Sequence, residues 1–276
     1  MLRFFKYVFL TYFVIALLFW CFHPYILFRP TKLLLDFRYN FDISFKEINF
    51  RPEKGVSLNA LWFSKRDTSL SFNNGKAVLF FHGNRDNLDR WGREYADRFI
   101  KSGYDVLMYD YRGYGKSTGS RSEDALHRDA QYIYDFLKQQ FREDSIVVYG
   151  YSLGTGMASR VAANNHPRIL ILEAPYASIP TLWQTHLPIF PYERLTRYKF
   201  RTDSCFAHIR CPIHLFHGTK DMTVPFENSL ILANLVTKKS VKAGLTTIPN
   251  GQHLFLNHSP IYRWALDSLL KQKEIN

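Results

Sequence analysis

The chain has 276 residues, 46% of them hydrophobic and 17% aromatic, which is enough apolar material for a sizeable core in one or two domains. Its formal net charge of +12 suits nucleic acid or an anionic membrane surface, but the basic residues are scattered, with no run of five or six and no nucleic-acid motif, so the membrane is the partner expected. Three cysteines (Cys21, Cys205 and Cys211) make no disulfide framework, and neither C-x-x-C nor H-E-x-x-H occurs, so no metal and no cofactor is expected.

Residues 7–22 carry no charge, follow Arg3 and Lys6, and as a helix rise about 24 Å. The apolar run continues to Phe28. It ends in bulky Phe19-Trp20-Cys21-Phe22 rather than the small residues of a cleavage site, so residues 1–28 read as an uncleaved membrane anchor and 29–276 as the folded domain. The flanking positive charges are nearly balanced and set no orientation for this single-pass anchor. From Phe41 the periodicity changes. Residues 45–50 and 57–63 read as an antiparallel strand pair around the turn residues Pro52–Gly55, and 67–76 as a polar loop. Beyond it, strands at 77–81, 104–109, 145–149, 168–172, 212–216 and 245–248 alternate with helices at 87–102, 121–141 (capped by Ser122), 155–163, 225–238 and 260–272. This alternation predicts an α/β fold, a mainly parallel central sheet with helices on both faces. Residues 177–206, with Pro180, Pro188 and Pro191, interrupt it and read as a small cap insertion.

Gly150-Tyr151-Ser152-Leu153-Gly154 reads G-x-S-x-G between a strand and a helix, where the pattern sets a nucleophilic serine on a strained turn. A serine hydroxyl needs a base, and the base an orienting acid. Asp221 follows the strand ending at Phe216, and His253 follows the strand ending at Ile248, in the order serine, acid, histidine. Glu173, at the end of the preceding strand, is a rival acid. Asp110 ends a strand too early for the role and is expected to brace the loop 111–117. Oxyanion donors are expected from the amides of Leu153 and of Asn84, in the loop His82-Gly83-Asn84-Arg85.

The stretches Phe80-Phe81-His82-Gly83-Asn84, Asp110 to Ser117, Gly150 to Gly154, His217-Gly218-Thr219-Lys220-Asp221 and Gly251-Gln252-His253 together resemble α/β-hydrolase superfamily serine hydrolases. The similarity is greatest to the membrane-anchored, short-cap branch, which is serine-aminopeptidase-like and depalmitoylase-like. It covers the chain from about Phe41 onward. Relatives often have small residues where this chain has Arg85-Asp86, a charged pair expected to narrow the pocket or bind an anionic group. The resemblance implies ester, thioester or, less often, amide hydrolysis. The expected substrate is an acyl-containing small molecule, a lipid or an acylated protein, with Trp183, Phe190 and Tyr192 lining an acyl pocket. Two alternatives stand beside it: an aminopeptidase-like amidase, for which Glu173 would bind the substrate's amino group, and a non-catalytic scaffold on the same fold.

Overall fold

The computed structural model describes residues 1–64, 75–236 and 241–271. Most of the polar loop expected at 67–76, and the last residues of the helices expected to reach 238 and 272, lie outside them. Helix α1 (Leu2–Leu27) leads into β1 (Arg29–Pro30), β2 (Phe45–Phe50), β3 (Leu58–Phe63), β4 (Lys76–Phe81) and β5 (Arg85–Asp86). Helices α2 (Leu88–Trp91) and α3 (Asp97–Lys101) flank a π-turn at Gly92–Ala96. Then come β6 (Tyr104–Tyr109), α4 (Glu123–Lys138), β7 (Ile146–Tyr151), α5 (Gly154–Asn164) and β8 (Ile169–Glu173). The insertion holds α6 (Ile179–His186), α7 (Tyr192–Leu195) and α8 (Thr202–Phe206). The chain closes with β9 (Ile213–Gly218), α9 (Glu227–Val236), β10 (Ala243–Ile248) and α10 (Pro260–Lys271).

Eight strands form one sheet in the order β10-β9-β8-β7-β4-β6-β3-β2. Every neighbouring pair from β10 to β6 is parallel, and β6-β3 and β3-β2 are antiparallel. The central strands are apolar at successive positions because both faces are covered. Val148 and Leu79 enter the core under α4, α5 and α9, whereas Val147, Tyr149 and Phe80 enter the core under α3 and α10. Ser122 caps α4 as expected, its side chain accepting from the Ala125 N–H at 3.1 Å.

Helix α1 does not stand apart from this body. Residues 3–27 are long and apolar enough to cross a membrane, with a mean hydropathy of 1.9. Pro24 lacks the N–H that would bond the Trp20 carbonyl, and the His23 ring Nδ1 lies 3.1 Å from that oxygen instead. His23 Nε2 accepts the Arg197 N–H at 3.0 Å, tying the helix to the insertion. Past the helix, β1 pairs in parallel with β5, Arg29 opposite Arg85.

Candidate active site

Three strand ends converge on one edge of the sheet. At the end of β7 the chain turns through Ser152, whose φ of 50° lies in the left-handed region that a non-glycine residue adopts only under constraint. The constraint is visible: the Ser152 N–H donates to the Glu173 carbonyl at 2.9 Å, and its own carbonyl accepts the Thr155 N–H at 2.9 Å. Gly154 is obligatory, since a Cβ there would sit 2.1 Å from the Phe81 carbonyl oxygen. The first turn of α5 thus lies directly against the end of β4.

Asp221 and His253 occupy the loops after β9 and β10, and these loops are stitched together. Lys220 N–H donates to the Gly251 carbonyl at 2.9 Å, and Asn250 N–H to Thr219 Oγ1 at 2.8 Å. His253 Nε2 lies 3.0 Å from Ser152 Oγ, and His253 Nδ1 lies 2.7 Å from Asp221 Oδ2. The second Asp221 oxygen accepts the N–H groups of Thr223 and Val224, each at 2.8 Å. Burial pushes the Asp221 carboxyl up, but hydrogen bonds from His217 and His253, the facing His253 and the Val224 N–H outweigh it and hold the group well below the usual carboxylate range. It is therefore ionised throughout the neutral range and fixes the His253 proton on Nδ1, leaving Nε2 to accept from serine.

The loop after β4 carries Asn84, whose amide is the expected second oxyanion donor. Among the described residues, neither the Asn84 nor the Leu153 N–H has a hydrogen-bond partner. The rest of Asn84 is occupied: its carbonyl accepts from Arg29 N–H and from Tyr114 Oη, each at 2.9 Å, and its side-chain nitrogen donates to the Leu27 carbonyl at 3.0 Å. Gly83 permits the close approach to the elbow, since a Cβ would meet the Tyr151 ring at 2.8 Å.

A description of the serine aminopeptidase S33 family matches residues 73–202. A lysophosphatidylserine lipase of Danio rerio is 27% identical over 85% of this chain and 69% of its own length. The lysophosphatidylserine lipase of Rattus norvegicus is 28% identical over 69% of this chain and 53% of its own, so the chain spans little more than half of that relative. An esterase of Pyrococcus furiosus superposes with a TM-score of 0.66 at 18% identity, covering 89% of this chain and 97% of that one. The fold is that of the α/β-hydrolases, and these matches together point to a serine hydrolase.

The structure brings together Ser152, His253 and Asp221, and leaves the Asn84 and Leu153 N–H groups without a hydrogen-bond partner among the described residues. It does not bring Glu173 to His253. Glu173 is fully buried, and its carboxyl accepts from Tyr95 at 3.1 Å, from Tyr262 at 3.1 Å and from Tyr149. Burial raises that carboxyl to about 7 against the opposing tyrosine hydrogen bonds. Asp110 does brace its loop, accepting Ser117 Oγ on its carbonyl at 2.7 Å, and its buried carboxyl also lies 3.4 Å from His82 Nε2. Arg85 and Asp86 are not a free charged pair, because Asp86 is bonded to Arg90 and both lie in β5. The aromatic insertion differs from its expected role. Phe190 and Tyr192 are buried against α1, with Tyr12 and Phe190 rings 4.9 Å apart and Phe19 5.1 Å from Tyr192 and 5.3 Å from Trp183. All three cysteines are free.

Sequence reasoning missed two supporting residues. His217 lies 3.3 Å from Asp221 Oδ2 and 2.8 Å from the Val224 carbonyl, holding the acid's turn closed. Its spacing four residues before the acid was the available signal. Tyr151 donates from its hydroxyl to the His253 carbonyl at 2.7 Å, so the residue before the nucleophile also holds the base.

Proposed function

We propose that this hydrolase cleaves the carboxylic ester of a membrane lipid through Ser152, His253 and Asp221. The observation that carries the reading is the continuous line Asp221–His253–Ser152 at 2.7 and 3.0 Å. Ser152 Oγ attacks the acyl carbonyl carbon while His253 Nε2 takes its proton. The Asn84 and Leu153 N–H groups donate to the oxyanion that develops on the carbonyl oxygen. As the tetrahedral adduct collapses, His253 returns the proton to the departing alkoxide, leaving an acyl-serine. A water molecule then repeats the sequence in reverse roles and releases the fatty acid.

The lipid assignment rests on two supports. Relatives matched over most of the chain are lysophosphatidylserine lipases, and residues 1–28 are assigned here as an anchor that holds domain 29–276, with its cap at 177–206, on a bilayer. A monoacyl phospholipid presents one ester at the interface and is the substrate class favoured over a soluble thioester. The amidase reading loses its amine-binding group, since Glu173 is sealed among three tyrosines.

A fluorophosphonate probe tests the nucleophile: labelling of the wild type and none of Ser152→Ala is expected, and labelling that survives the substitution refutes it. Fatty-acid release from lysophosphatidylserine, measured beside aminoacyl amides and acyl thioesters, tests the substrate. Turnover confined to the amides refutes the lipase reading.

A further inference from the structure

The insertion touches α1 along a single stripe. Tyr12, Ala16, Phe19 and His23 recur at spacings of four, three and four, one face of a helix. Ala16 is only 8% exposed, whereas Phe13, Leu17 and Phe22 around it are all more than half exposed. The stripe has a direction. Its exit end carries polar groups: Arg197 stacks 5.3 Å from the Trp20 ring and donates to the Cys21 carbonyl at 3.2 Å. Its other end carries no charged group. Tyr12 Oη donates to the Ile189 carbonyl at 3.2 Å, and Tyr12 lies eight residues, about 12 Å, along the helix from Trp20.

Residues 187–191 read Leu-Pro-Ile-Phe-Pro, without a charge. Leu187 and Ile189 are 48% and 53% exposed. Most of its backbone is nevertheless provided for internally; among the described residues only the Pro188 carbonyl and the Phe190 N–H have no hydrogen-bond partner. Two of the five residues are prolines and have no N–H. The carbonyls of Leu187, Ile189, Phe190 and Pro191 accept from Tyr192 Oη, Tyr12 Oη, Tyr192 N–H and Arg194 N–H. The Leu187 and Ile189 N–H groups donate to Trp183 and Leu187 carbonyls. Closing most of these groups, and having no N–H at Pro188 and Pro191, lowers the cost of taking this uncharged loop out of water, and its exposed Leu187 and Ile189 gain by it.

We infer that the cap loop 187–191 is a wedge inserted in the hydrocarbon of the bilayer, alongside α1 at the depth of Tyr12. The inference rests on the assignment of α1 as a membrane anchor. Through α6, which carries Trp183, the wedge is joined to the segment that leaves β8 at Glu173, whose carbonyl holds the nucleophile's N–H.

The test is collision accessibility of a nitroxide in the full-length protein in phosphatidylcholine nanodiscs, in a Cys21→Ser background that leaves only the buried Cys205 and Cys211. A label at Ile189→Cys is expected to collide with oxygen several-fold more often than with a water-soluble nickel chelate, and so is one at Phe13→Cys on the exposed side of α1. Asp144→Cys, just before β7, is expected to show the reverse. Oxygen preference at 13 with nickel preference at 189 overturns the wedge and leaves the anchor standing. Nickel preference at both sites overturns both. Leu187→Cys reads the same loop should Ile189→Cys not fold. No outcome depends on catalytic activity, so a failure here is distinct from a failure of the proposed chemistry.

Discussion

Replacing Asp221 by Asn changes one oxygen to an NH2 group at constant shape. The oxygen that remains has two claims on it. The Thr223 and Val224 N–H groups both point at Oδ1, and the His253 Nδ1–H points at Oδ2. Turning the amide oxygen toward His253 sets an NH2 group against two backbone donors. At about 1–3 kcal/mol for each donor left unpaired, that rotamer is disfavoured by about 2–6 kcal/mol. The amide therefore keeps its oxygen on the backbone and offers N–H to His253. Imidazole then accepts at Nδ1 and carries its proton on Nε2, where it faces Ser152 and cannot take the serine proton. His217, 3.3 Å from Oδ2, adds a second donor facing the new NH2 group. Loss of the charge that stabilises the imidazolium compounds the effect. We expect kcat for a p-nitrophenyl ester at neutral pH to fall by about a thousandfold to ten-thousandfold, with KM nearly unchanged. A kcat within about tenfold of wild type would refute the assignment of Asp221 as the partner of His253.

Three further outcomes are expected. Gly154→Ala places a Cβ 2.1 Å from the Phe81 carbonyl oxygen, so α5 and β4 must separate by about 1 Å, and kcat should drop by about a hundredfold even in protein that remains folded by circular dichroism. Burial raises Glu173 from 4.5 to about 7, so the folded state holds a proton that the unfolded chain releases. Wild-type stability should accordingly decline by about 3 kcal/mol as pH rises from 4.5 to 7 and then level off, and Glu173→Gln should remove that slope in urea titrations. Asn84→Ala keeps the amide proposed as an oxyanion donor but frees the Leu27 carbonyl, and at about 1 kcal/mol for one hydrogen bond it should lower kcat several-fold while leaving KM in place, as steady-state kinetics will show.

What the sequence disclosed was whatever local punctuation controls. Strand-to-helix turns carry Ser152, Asp221 and His253, and their glycines, apolar runs and chain order are written in short windows. The antiparallel pair β2-β3 and the cap of α4 were legible for the same reason. Features made by distant residues were not. The tyrosines around Glu173 come from positions 95, 149 and 262, and no window contains them together. The π-turn at Gly92–Ala96 interrupts a stretch with ordinary helical patterning. It lies where Gly92 meets Phe41 and Phe63 so closely that a Cβ would stand 2.8 Å from either ring, a tertiary contact that periodicity does not record. Two-residue strands such as β1 and β5 are too short for any pattern. The aromatic residues of the insertion announced burial, but not that their partner was α1.

The short span from Leu27 to Arg29 sets the reach of the enzyme. A tethered catalytic domain swings on its linker and samples a volume above the membrane. Here the helix ends at Leu27, and Arg29 is already paired with Arg85, one residue beyond Asn84, the proposed oxyanion donor. Thr31 and Leu33 continue the seam, exchanging backbone hydrogen bonds with Asp86 and Gly115. With no slack in that seam, Ser152 keeps one height and one bearing relative to its helix. If α1 lies in a bilayer as proposed, a tilt of the helix is passed through this seam to the loop of Asn84 rather than absorbed by a linker.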